Sequence, residues 1–480
     1  MSDPFNGLLD FNKPEPEPQD TSGRWAHQQQ TFEHALDNPR VLDFSDPGTG
    51  KTRSHIDVFR HRLEHGESEK CLVLAPKTLL DTAWGEDIDK FQPDLRFASA
   101  YAHNREDAFD RDVQFFITNL DAVKWLAQQP KRWFSRRFGS NPTLLIDEST
   151  AFKNMNSARS KAVAALRHYF TFRTAMTATP DPNSVLELWH QALLVDDGKR
   201  LGTSFYKYRS AVADPVQVGP RPEHKEWQDK DNIEEAVNML LADITIRHAF
   251  DECMDIPPNL TKRVHFDLPR SLQQRYDEME LQSLLSLKKG EVVGINAAAQ
   301  ANKLLQIASG AVYRSDDRSA YEVLDDTRYK LVADLIEQSR HSVTFYNWEH
   351  QKDEISKELD KRGVSYEVLD RSMSDKRRAG AVAAYQRGDY QTILLHPATG
   401  AHGLTLTRGE TTIWSSPVYQ ADFLKQGTFR IYRGGQTKKT YTKQICANNT
   451  VEENVFAKVG KKSAKMDDFL KLLKQRRGDE

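Results

Sequence analysis

The 480-residue sequence has few cysteines, no long apolar run and almost no net charge, and each absence excludes a class of protein. The three cysteines, Cys71, Cys253 and Cys446, are widely separated, which excludes cysteine-based zinc motifs and is typical of a reducing compartment. No run of about eighteen apolar residues is present and the N-terminus lacks a signal-peptide core, so we expect a cytoplasmic protein. Lysine and arginine number 67 against 69 acidic residues, so any contact with nucleic acid requires a local basic patch.

What is present is an alternation of apolar runs with helical patterns, which predicts an α/β protein. In the first part of the chain the runs predict parallel strands at 41–44, 71–75, 97–102, 113–118, 143–147 and 173–177. From about residue 196 to 335 the sequence is richer in charge and helical periodicity, with one strand-like run at 264–268. The alternation then resumes and predicts strands at 342–347, 365–369, 392–396, 411–415 and 441–447. The sequence therefore predicts two α/β lobes separated by a largely helical segment.

These patterns divide the chain into four segments. Residues 1–22 interleave proline with glutamate, a composition that predicts a flexible arm. Residues 23–268 are expected to form the first lobe, with a helical extension from about residue 196. Residues 269–456 are expected to form a helical protrusion followed by the second lobe. Residues 457–480 form a basic tail, which either packs on the second lobe as a helix or contacts DNA.

A phosphate-binding loop is predicted at residues 45–52, where a short apolar run ends and a helix begins. Gly48 and Gly50 allow backbone N–H groups to turn toward a phosphate without a Cβ in the way. Lys51 supplies a positive charge, and Thr52 is expected to place its hydroxyl on Mg²⁺. The N-terminus of the following helix adds partial positive charge where the phosphates lie. The loop predicts binding of ATP or GTP, and the alternative is an ordinary strand-turn-helix corner.

A second element, at residues 143–150, consists of apolar or β-branched residues followed by two carboxylates. This pattern is typical of a buried parallel strand, and such sheets carry their functional groups at the C-terminal ends of the strands. Asp147 is expected to hold Mg²⁺ through water, and Glu148 to orient and deprotonate the attacking water. The alternative is a strand that ends in a solvated acidic turn, which the presence of the phosphate-binding loop disfavours.

The order and the residues of further motifs, over residues 24–456, resemble those of a superfamily 2 helicase of the Swi/Snf-like group. In the first lobe the matching segments are 24–28, 74–80, 116–121, 152–154 and 176–180. In the second lobe they are 343–346, 399–406, 426–437 and 449–455, with Gln426, Arg430, Arg433 and Gln436 at the family's spacing. The resemblance implies two tandem RecA-like lobes, built of parallel sheets flanked by helices, with a helical insertion between them. The compact form resembles bacterial or bacteriophage members, which implies a bacterial or phage-infected host cytoplasm.

The resemblance also implies roles for individual residues. The implied catalytic residues are Lys51, Asp147, Glu148, Arg430 and Arg433. The implied ATP contacts are Gln28, Gly48, Thr49, Gly50, Lys51, Thr52 and Gln426, with Thr52 and Asp147 as ligands of Mg²⁺. The implied nucleic-acid contacts are Pro76, Lys77, Thr118, Asn119, Lys153, Asn154, Thr399, Gly400 and Gly403. The two arginines would neutralise the leaving phosphoryl group when the cleft between the lobes closes, and a solvated basic helix face is the alternative.

The sequence departs from the family pattern at several positions in these motifs. Ser45 stands where the phosphate-binding loop usually begins with glycine, and Thr150 replaces the histidine or other polar residue that often ends the acidic motif. Phe429 replaces the usual glycine just before the first arginine, and Tyr432 replaces the usual histidine between the two. We therefore expect the coupling between hydrolysis and movement to be tuned differently from that of the family.

The leading hypothesis is a DNA-dependent ATPase of helicase type, which couples ATP hydrolysis to translocation on DNA and to unwinding or remodelling of DNA structures. We expect it to contact DNA mainly through phosphates, with little sequence preference. Replication, recombination or nuclease proteins are the expected class of partner. The alternatives are a duplex-DNA translocase that displaces bound proteins without strand separation, an RNA-directed helicase and a non-enzymatic scaffold. The intact nucleotide-handling positions disfavour the scaffold.

Overall fold

In the computed structural model the described residues are 23–180, 184–217, 225–254, 256–288, 294–314, 320–370, 372–400, 404–418 and 420–456. They form two parallel sheets flanked by helices, which confirms the prediction of two tandem α/β lobes. The predicted arm at 1–22 and the predicted basic tail at 457–480 lie outside the described residues. Within the described part of the chain, no helix is long and apolar enough to cross a membrane.

Strands and helices alternate along most of the chain. The strands are β1 (Arg40–Asp43), β2 (Cys71–Ala75), β3 (Phe97–Ala100), β4 (Phe115–Asn119), β5 (Thr143–Asp147), β6 (Phe172–Met176), β7 (Ala213–Gln217), β8 (Lys225–Asp229), β9 (Thr245–Ile246), β10 (Asn259–Phe266), β11 (Ala311–Tyr313), β12 (Tyr321–Val323), β13 (Ser342–Phe345), β14 (Tyr366–Leu369), β15 (Thr392–Leu395), β16 (Thr411–Trp414) and β17 (Thr440–Ala447). The α-helices are α1 (Ala26–Asp37), α2 (Lys51–Glu64), α3 (Glu86–Phe91), α4 (Arg105–Phe109), α5 (Val123–Leu126), α6 (Lys131–Phe138), α7 (Ala158–Leu166), α8 (Leu188–Asp196), α9 (Phe205–Val212), α10 (Ile233–Leu241), α11 (Phe250–Cys253), α12 (Arg270–Lys288), α13 (Gly294–Ala308), α14 (Thr327–Glu337), α15 (Glu349–Arg362), α16 (Asp375–Arg387), α17 (Pro397–Gly400) and α18 (Ala421–Thr428).

The first sheet has seven strands in the order β3-β4-β2-β5-β6-β1-β9, and all neighbouring strands are parallel. Its central strands are continuous apolar runs because both faces of the sheet are covered, and every residue of β2 is buried. One apolar cluster lies around Phe116 and Phe138, and another lies around Phe59 and Trp84. The carboxyl ends of all these strands meet at one edge, to which β1 and β5 bring the phosphate-binding and acidic motifs.

The second sheet has six strands in the order β10-β17-β16-β13-β15-β14, and its neighbouring strands are also parallel. Phe345 stacks on Trp414 in its core, with ring centroids 4.2 Å apart. Nη2 of the buried Arg328 donates to both carboxylate oxygens of Glu452, at 2.7 and 2.8 Å, and Nη1 donates to Ser415 O at 2.7 Å. This hydrogen-bonded buried ion pair fixes α14 to the segment that follows β17.

The strand β10 belongs to the second sheet, which corrects the predicted lobe boundary at residue 268. β10 pairs in parallel with β17, from Asn259 opposite Thr440 to Phe266 opposite Ala447. The chain therefore passes from the first sheet to the second between β9 and β10. Most side chains of β10 are exposed, so the strand lacks the apolar run that marks a central strand, and its partner lies far away in the sequence.

The segment between the two lobes is less purely helical than the sequence predicted. The helices α12 and α13 do lie there, and they pack on each other. Two antiparallel pairs, β7 with β8 and β11 with β12, are added to them. These short strands were missed because partly exposed two-stranded pairs have no long apolar run to mark them.

Candidate nucleotide and nucleic-acid site

The loop between β1 and α2 depends on two glycines. Gly48 and Gly50 take the left-handed region, with φ of +84° and +79°. A Cβ on Gly50 would lie 2.2 Å from Nε2 of Gln28, and a Cβ on Gly48 would lie 2.9 Å from the Phe250 ring. Both positions therefore favour glycine for their backbone conformation, and a side chain at Gly48 would press on the Phe250 ring, whereas one at Gly50 would displace the amide of Gln28. Because Gly50 caps α2, the first N–H groups of the helix open toward the loop.

The charge of Lys51 is held at this loop. Lys51 is the first residue of α2, and its Nζ donates to Ser45 O at 2.7 Å and to Asp46 O at 3.0 Å. Thr49 Oγ1 also donates to Asp46 O, at 2.9 Å. Thr52 follows Lys51 in the first turn of the helix and is partly buried. The loop thus gathers an ammonium group, a hydroxyl and helical N–H groups, which is the chemistry that binds phosphate.

The acidic motif lies at the end of β5, where Asp147 is followed by Glu148 at a φ of +57°. Such a backbone is costly for a residue other than glycine and points to a functional constraint. Burial and the neighbouring Glu148 raise the pKa of Asp147, whereas Lys51 lowers it. Burial also raises the pKa of Glu148, against the effects of Lys51 and Arg430. The structure therefore brings the loop lysine and an arginine of the second lobe near the carboxylate pair.

The donor set at this point suits a magnesium ion. Asp147 and Glu148 offer carboxylate oxygens, and Thr52 offers a hydroxyl. Magnesium prefers oxygen ligands and is usually bound by one or two carboxylates together with phosphates and water. The residues predicted to hold Mg²⁺ therefore fit a hard cation that arrives with a nucleotide.

Gln426 and Arg430 bring the second lobe to Glu148. Gln426 Nε2 lies 3.5 Å from both Oε1 and Oε2 of Glu148. Arg430 is only 6% exposed and donates from Nε to Gln426 O at 2.9 Å and from Nη1 to Leu404 O at 3.1 Å. Burial and Arg433 lower the pKa of Arg430 to about 9, and Glu148 opposes this shift. Two backbone carbonyls thus hold a buried guanidinium near the predicted general base.

Arg433 lies beside Gly48 of the phosphate-binding loop. Its Nη1 donates to Leu404 O at 3.4 Å, and its Cβ lies 3.4 Å from the position that a Cβ on Gly48 would take. Burial lowers the pKa of Arg433, and the carboxylate of Asp87 opposes this shift. Burial raises the pKa of Asp87 to about 6, which Lys90 and Arg433 oppose. Asp87 is a cleft residue that the sequence did not predict, because no motif spacing marks it.

Gln28, which was predicted to contact the adenine base, contacts the phosphate-binding loop. Its Oε1 accepts from Trp25 N at 3.1 Å, and its Nε2 donates to Thr49 O at 3.4 Å. His27 Nε2 lies 2.8 Å from the same carbonyl oxygen. The helix α1 therefore braces the loop, and the adenine contact of Gln28 stays a prediction.

Three aromatic rings join the first lobe to the arginine-bearing segment. Phe250, in α11, has its ring centroid 5.2 Å from those of Phe429 and Tyr432. We call Phe250, Phe429 and Tyr432 the Phe250 cluster. Tyr432 Oη also donates to Asp251 Oδ1 at 2.6 Å. Phe429 and Tyr432 are two of the positions at which the sequence departs from the family pattern, and their packing on Phe250 gives that departure a structural reason.

An ion pair links the lobes at the phosphate-binding loop. Nζ of Lys425, in α18, lies 2.9 Å from Asp46 Oδ1, and both side chains are 11% exposed. Phe250 N donates to Asp46 Oδ2 at 3.0 Å. Burial opposes ionisation of Asp46, but Lys425 holds its pKa below the usual range. The sequence did not predict this pair, because it depends on the contact between the lobes.

The predicted nucleic-acid contacts of the first lobe lie at the ends of β2 and β4. Pro76 and Lys77 follow β2, and Lys77 is exposed. Thr118 is fully buried, and its hydroxyl donates to Ala100 O at 2.7 Å. The side chain of Thr118 is therefore engaged inside the sheet, and the predicted contact of Thr118 with nucleic acid stays a prediction. Asn119, the last residue of β4, is partly exposed and remains the candidate contact there.

Lys153 and Asn154 follow the acidic motif and lie in different environments. Lys153 Nζ pairs with Glu187 Oε1 at 3.0 Å. Burial raises the pKa of Asp422, in the second lobe, to about 6, and the positive charge of Lys153 opposes this shift. Asn154 is exposed, and its Oδ1 accepts from Asn156 N at 3.0 Å. Lys153 therefore faces the cleft and Asn154 faces solvent, and their contacts with nucleic acid stay predictions.

A cavity of about 470 Å³ lies at the carboxyl ends of β13, β14 and β15 in the second lobe. Tyr346, His396 and Thr399 are among its lining residues. The Thr399 hydroxyl is buried and has no hydrogen-bond partner within the described ranges. Gly400 ends α17, and Gly403 lies outside the described residues. An unpartnered buried hydroxyl at this edge fits the predicted contact with a phosphate.

Comparison with known proteins gives two family matches that together cover most of the chain. Residues 38–315 match the SNF2-related domain, and residues 327–435 match the helicase conserved C-terminal domain. The chain is also 26% identical over 473 residues to protein p41 of Acyrthosiphon pisum secondary endosymbiont phage 1. That similarity covers 94% of this chain and 98% of p41.

Longer bacterial proteins are similar as well. YwqA of Bacillus subtilis, whose name describes an ATP-dependent helicase/translocase, is 23% identical over 88% of this chain and 46% of its own length. The chain thus spans less than half the length of this relative. Among solved structures, the Sulfolobus solfataricus SWI2/SNF2 ATPase core in complex with dsDNA is similar over 96% of this chain and 95% of that chain, with 20% identity and a TM-score of 0.44.

Proposed function

The chain belongs to the SNF2-related family of helicase-type ATPases, and on this premise we propose that it is a DNA-dependent motor that couples ATP hydrolysis to translocation on DNA. The observation that carries the proposal is the approach of Gln426 and Arg430, from the second lobe, to Glu148 in the first. A reaction that needs groups from both lobes depends on the relative position of the lobes. ATP hydrolysis can therefore drive a movement of one lobe relative to the other, and this movement would shift the protein along a bound DNA.

The first lobe would bind the nucleotide. The N–H groups at the start of α2 and the ammonium group of Lys51 would receive its phosphates. Thr52 and Asp147 would hold Mg²⁺, which when bound neutralises charge on the phosphate oxygens. Glu148 would orient the attacking water and accept its proton, and the raised pKa of its carboxyl favours that role.

The second lobe would complete the site. Negative charge on the transferred phosphoryl group is stabilised by a guanidinium from the opposite side, typically by about 10³ to 10⁵ in rate. Arg430 is suited to this role because two carbonyl oxygens fix its orientation and the surrounding protein excludes water. Arg433 would act beside it at the glycine end of the loop. DNA that favours the closed cleft would therefore stimulate hydrolysis.

The DNA would lie across the strand ends of both sheets. Pro76, Lys77 and Asn119 are the candidates in the first lobe, and Thr399 and Gly400 are those in the second. Hydroxyls, backbone N–H groups and a lysine suit phosphates rather than base edges, so we expect little sequence preference. Phosphate contacts also release counterions, so affinity should fall steeply with salt. A change in the spacing between the two sets of contacts would advance the DNA.

A triplex-displacement assay tests this movement directly. A third strand annealed to a duplex is released when a motor passes, even if the duplex strands stay paired. We expect release that requires ATP and is abolished by Lys51→Ala. A forked duplex in parallel shows whether the strands are also separated. ATP hydrolysis on DNA with neither triplex release nor fork unwinding would contradict the proposed translocation.

A further inference from the structure

Trp84 connects the segment that follows β2 to the end of β5. The chain leaves β2 through Pro76, makes a 3₁₀ turn at Lys77–Leu79 and then a π-helical turn at Leu80–Gly85. Trp84 is fully buried in this second turn, and its Nε1 donates to Oδ2 of Asp147 at 3.0 Å. The bond joins the segment predicted to contact DNA to a residue predicted to hold magnesium.

The π-helical turn is anchored on both of its faces. Trp84 points inward, where it packs in the apolar cluster that includes Leu145 of β5. Asp81 of the same turn is exposed and accepts hydrogen bonds from Tyr101 Oη at 2.6 Å and from Ser99 Oγ. Single π-helical turns are rare in proteins, and those that occur often lie at functional sites. Because contacts hold both faces of the turn, we expect it to move as one unit, so that a displacement at Lys77 would also shift the indole.

The hydrogen bond matters to both of its partners. A buried indole N–H needs an acceptor, and the carboxylate of Asp147 supplies one. In return, the donated bond limits the rotation of that carboxylate. Outer hydrogen bonds of this kind orient metal ligands, and their removal typically costs about 10- to 100-fold in metal affinity or activity.

Resting on the proposed function, we propose that Trp84 is a positioning residue through which DNA bound at Pro76 and Lys77 orients Asp147 for magnesium nucleotide. DNA and magnesium nucleotide would then favour the same arrangement of the π-helical turn. Coupling of two binding events is reciprocal, so DNA should tighten the binding of Mg·ADP by the factor by which Mg·ADP tightens the binding of DNA.

Trp84→Phe removes the N–H group and keeps an aromatic ring in the cluster. Calorimetric titration would give the Kd of ADP in Mg²⁺ and in EDTA, each with and without saturating duplex DNA. We expect the gain in affinity from Mg²⁺ to fall by about tenfold or more. In coupled systems a second ligand, here DNA, typically changes such a Kd by about 5- to 150-fold. In Trp84→Phe we expect the ratio of the Kd of ADP without DNA to that with DNA to fall to about one.

Trp189→Phe is the matched control. Trp189 is also buried, and its Nε1 donates to Gly202 O at 3.0 Å rather than to a carboxylate. This variant loses one indole hydrogen bond, as Trp84→Phe does, and should retain the wild-type effects of Mg²⁺ and DNA. Loss of both effects in this control would assign them to general destabilisation and overturn the proposal.

Lys77→Ala tests the other end of the segment without disturbing the core, because Lys77 is exposed. At saturating DNA this variant should lose the effect of DNA and keep the gain from Mg²⁺. Wild-type values for both effects in a folded Trp84→Phe protein, or a normal DNA effect in Lys77→Ala, would overturn the coupling. If DNA does not change the Kd of ADP for the wild-type protein, the proposed coupling is overturned, and DNA-stimulated ATP hydrolysis by the same protein would leave the proposed function standing. The Mg²⁺ arm would still measure the action of Trp84 on Asp147.

Discussion

The residues of the cleft occupy backbone positions that few residue types tolerate. Glu148 takes the left-handed region at a φ of +57°, which typically costs about 1–3 kcal/mol for a residue other than glycine. The surrounding sheet maintains this conformation, because β5 is paired on both sides up to Ile146. The strain places two successive carboxylates at the strand end, beside the lysine of the phosphate-binding loop.

Gly50→Ala should impair both stability and nucleotide binding. The left-handed conformation at φ +79° costs an alanine about 1–2 kcal/mol, and its Cβ would lie 2.2 Å from Nε2 of Gln28. Gly66→Ala is a matched control, because Gly66 has a φ of +68° with no atom within 4 Å of the added Cβ. Urea unfolding and ATP titration of both variants provide the measurement. Equal ATP binding by the two variants would contradict the role of close packing at Gly50.

Local motifs made part of the site predictable from the sequence. Lys51 and Glu148 each lie in a short contiguous pattern whose chemistry depends on neighbouring residues, and the structure brings them together. Asp87 and Lys425 lie in no such pattern, because each takes its place in the cleft from packing between elements distant in the chain. The burial of Thr118 was also not visible in the sequence, because a motif position at a strand end does not show whether its side chain points into the sheet packing.

At the scale of helices and strands, burial decided which elements the sequence revealed. β2 and β5 are almost entirely buried and read as continuous apolar runs, so their positions were predicted closely. β10 is mostly exposed at the edge of its sheet, so its strand pattern gave no indication of which lobe it joins. Pairing with a distant strand is set by tertiary contacts, which a local pattern does not contain.

The Phe250 cluster should support nucleotide binding as well as stability. Phe250 is fully buried, and its ring would lie 2.9 Å from a Cβ on Gly48, so it covers the phosphate-binding loop. We expect Phe250→Ala to lower the free energy of unfolding by about 3–5 kcal/mol and to raise the KM for ATP severalfold. Thermal or urea unfolding and steady-state hydrolysis measure the two effects.

A buried ring far from the cleft provides the control for this prediction. Phe134 is 2% exposed and packs behind the first sheet in α6. Phe134→Ala should cost a similar free energy of unfolding without changing the KM for ATP. If both variants change KM equally, the effect reflects destabilisation, and the Phe250 cluster has no separate role at the loop.

At the scale of the whole molecule, hydrolysis is expected to depend on the contact between the two lobes. Arg430→Ala should lower turnover by about 10³ or more, because it removes charge stabilisation from the opposite lobe. Binding of ATP should change only a few-fold, because the first lobe would hold the phosphates. Arg377→Ala is the control, since this arginine is 70% exposed on the second lobe. Loss of ATP binding together with unfolding in Arg430→Ala would support a purely structural role.

The order of the motifs allowed the two-lobe architecture to be predicted, but not the interface between the lobes. Alternating runs and the resemblance both indicated tandem parallel sheets, which the structure confirms. The pairing of Lys425 with Asp46 and the packing of the Phe250 cluster required the three-dimensional arrangement. In the sequence, Phe429 and Tyr432 stood out as departures from the family pattern, but nothing in the sequence identified Phe250 as the residue on which they pack.

The most direct test is the steady-state rate of ATP hydrolysis without nucleic acid and with duplex DNA, single-stranded DNA or RNA, with Lys51→Ala as the blank. We predict that DNA strongly increases the rate of ATP hydrolysis. A larger increase with duplex or with single-stranded DNA would indicate which of the two forms the motor follows. The stimulation should be lost in Arg430→Ala. A rate that no DNA changes, or one that RNA alone increases, would contradict the proposal of a DNA-dependent motor.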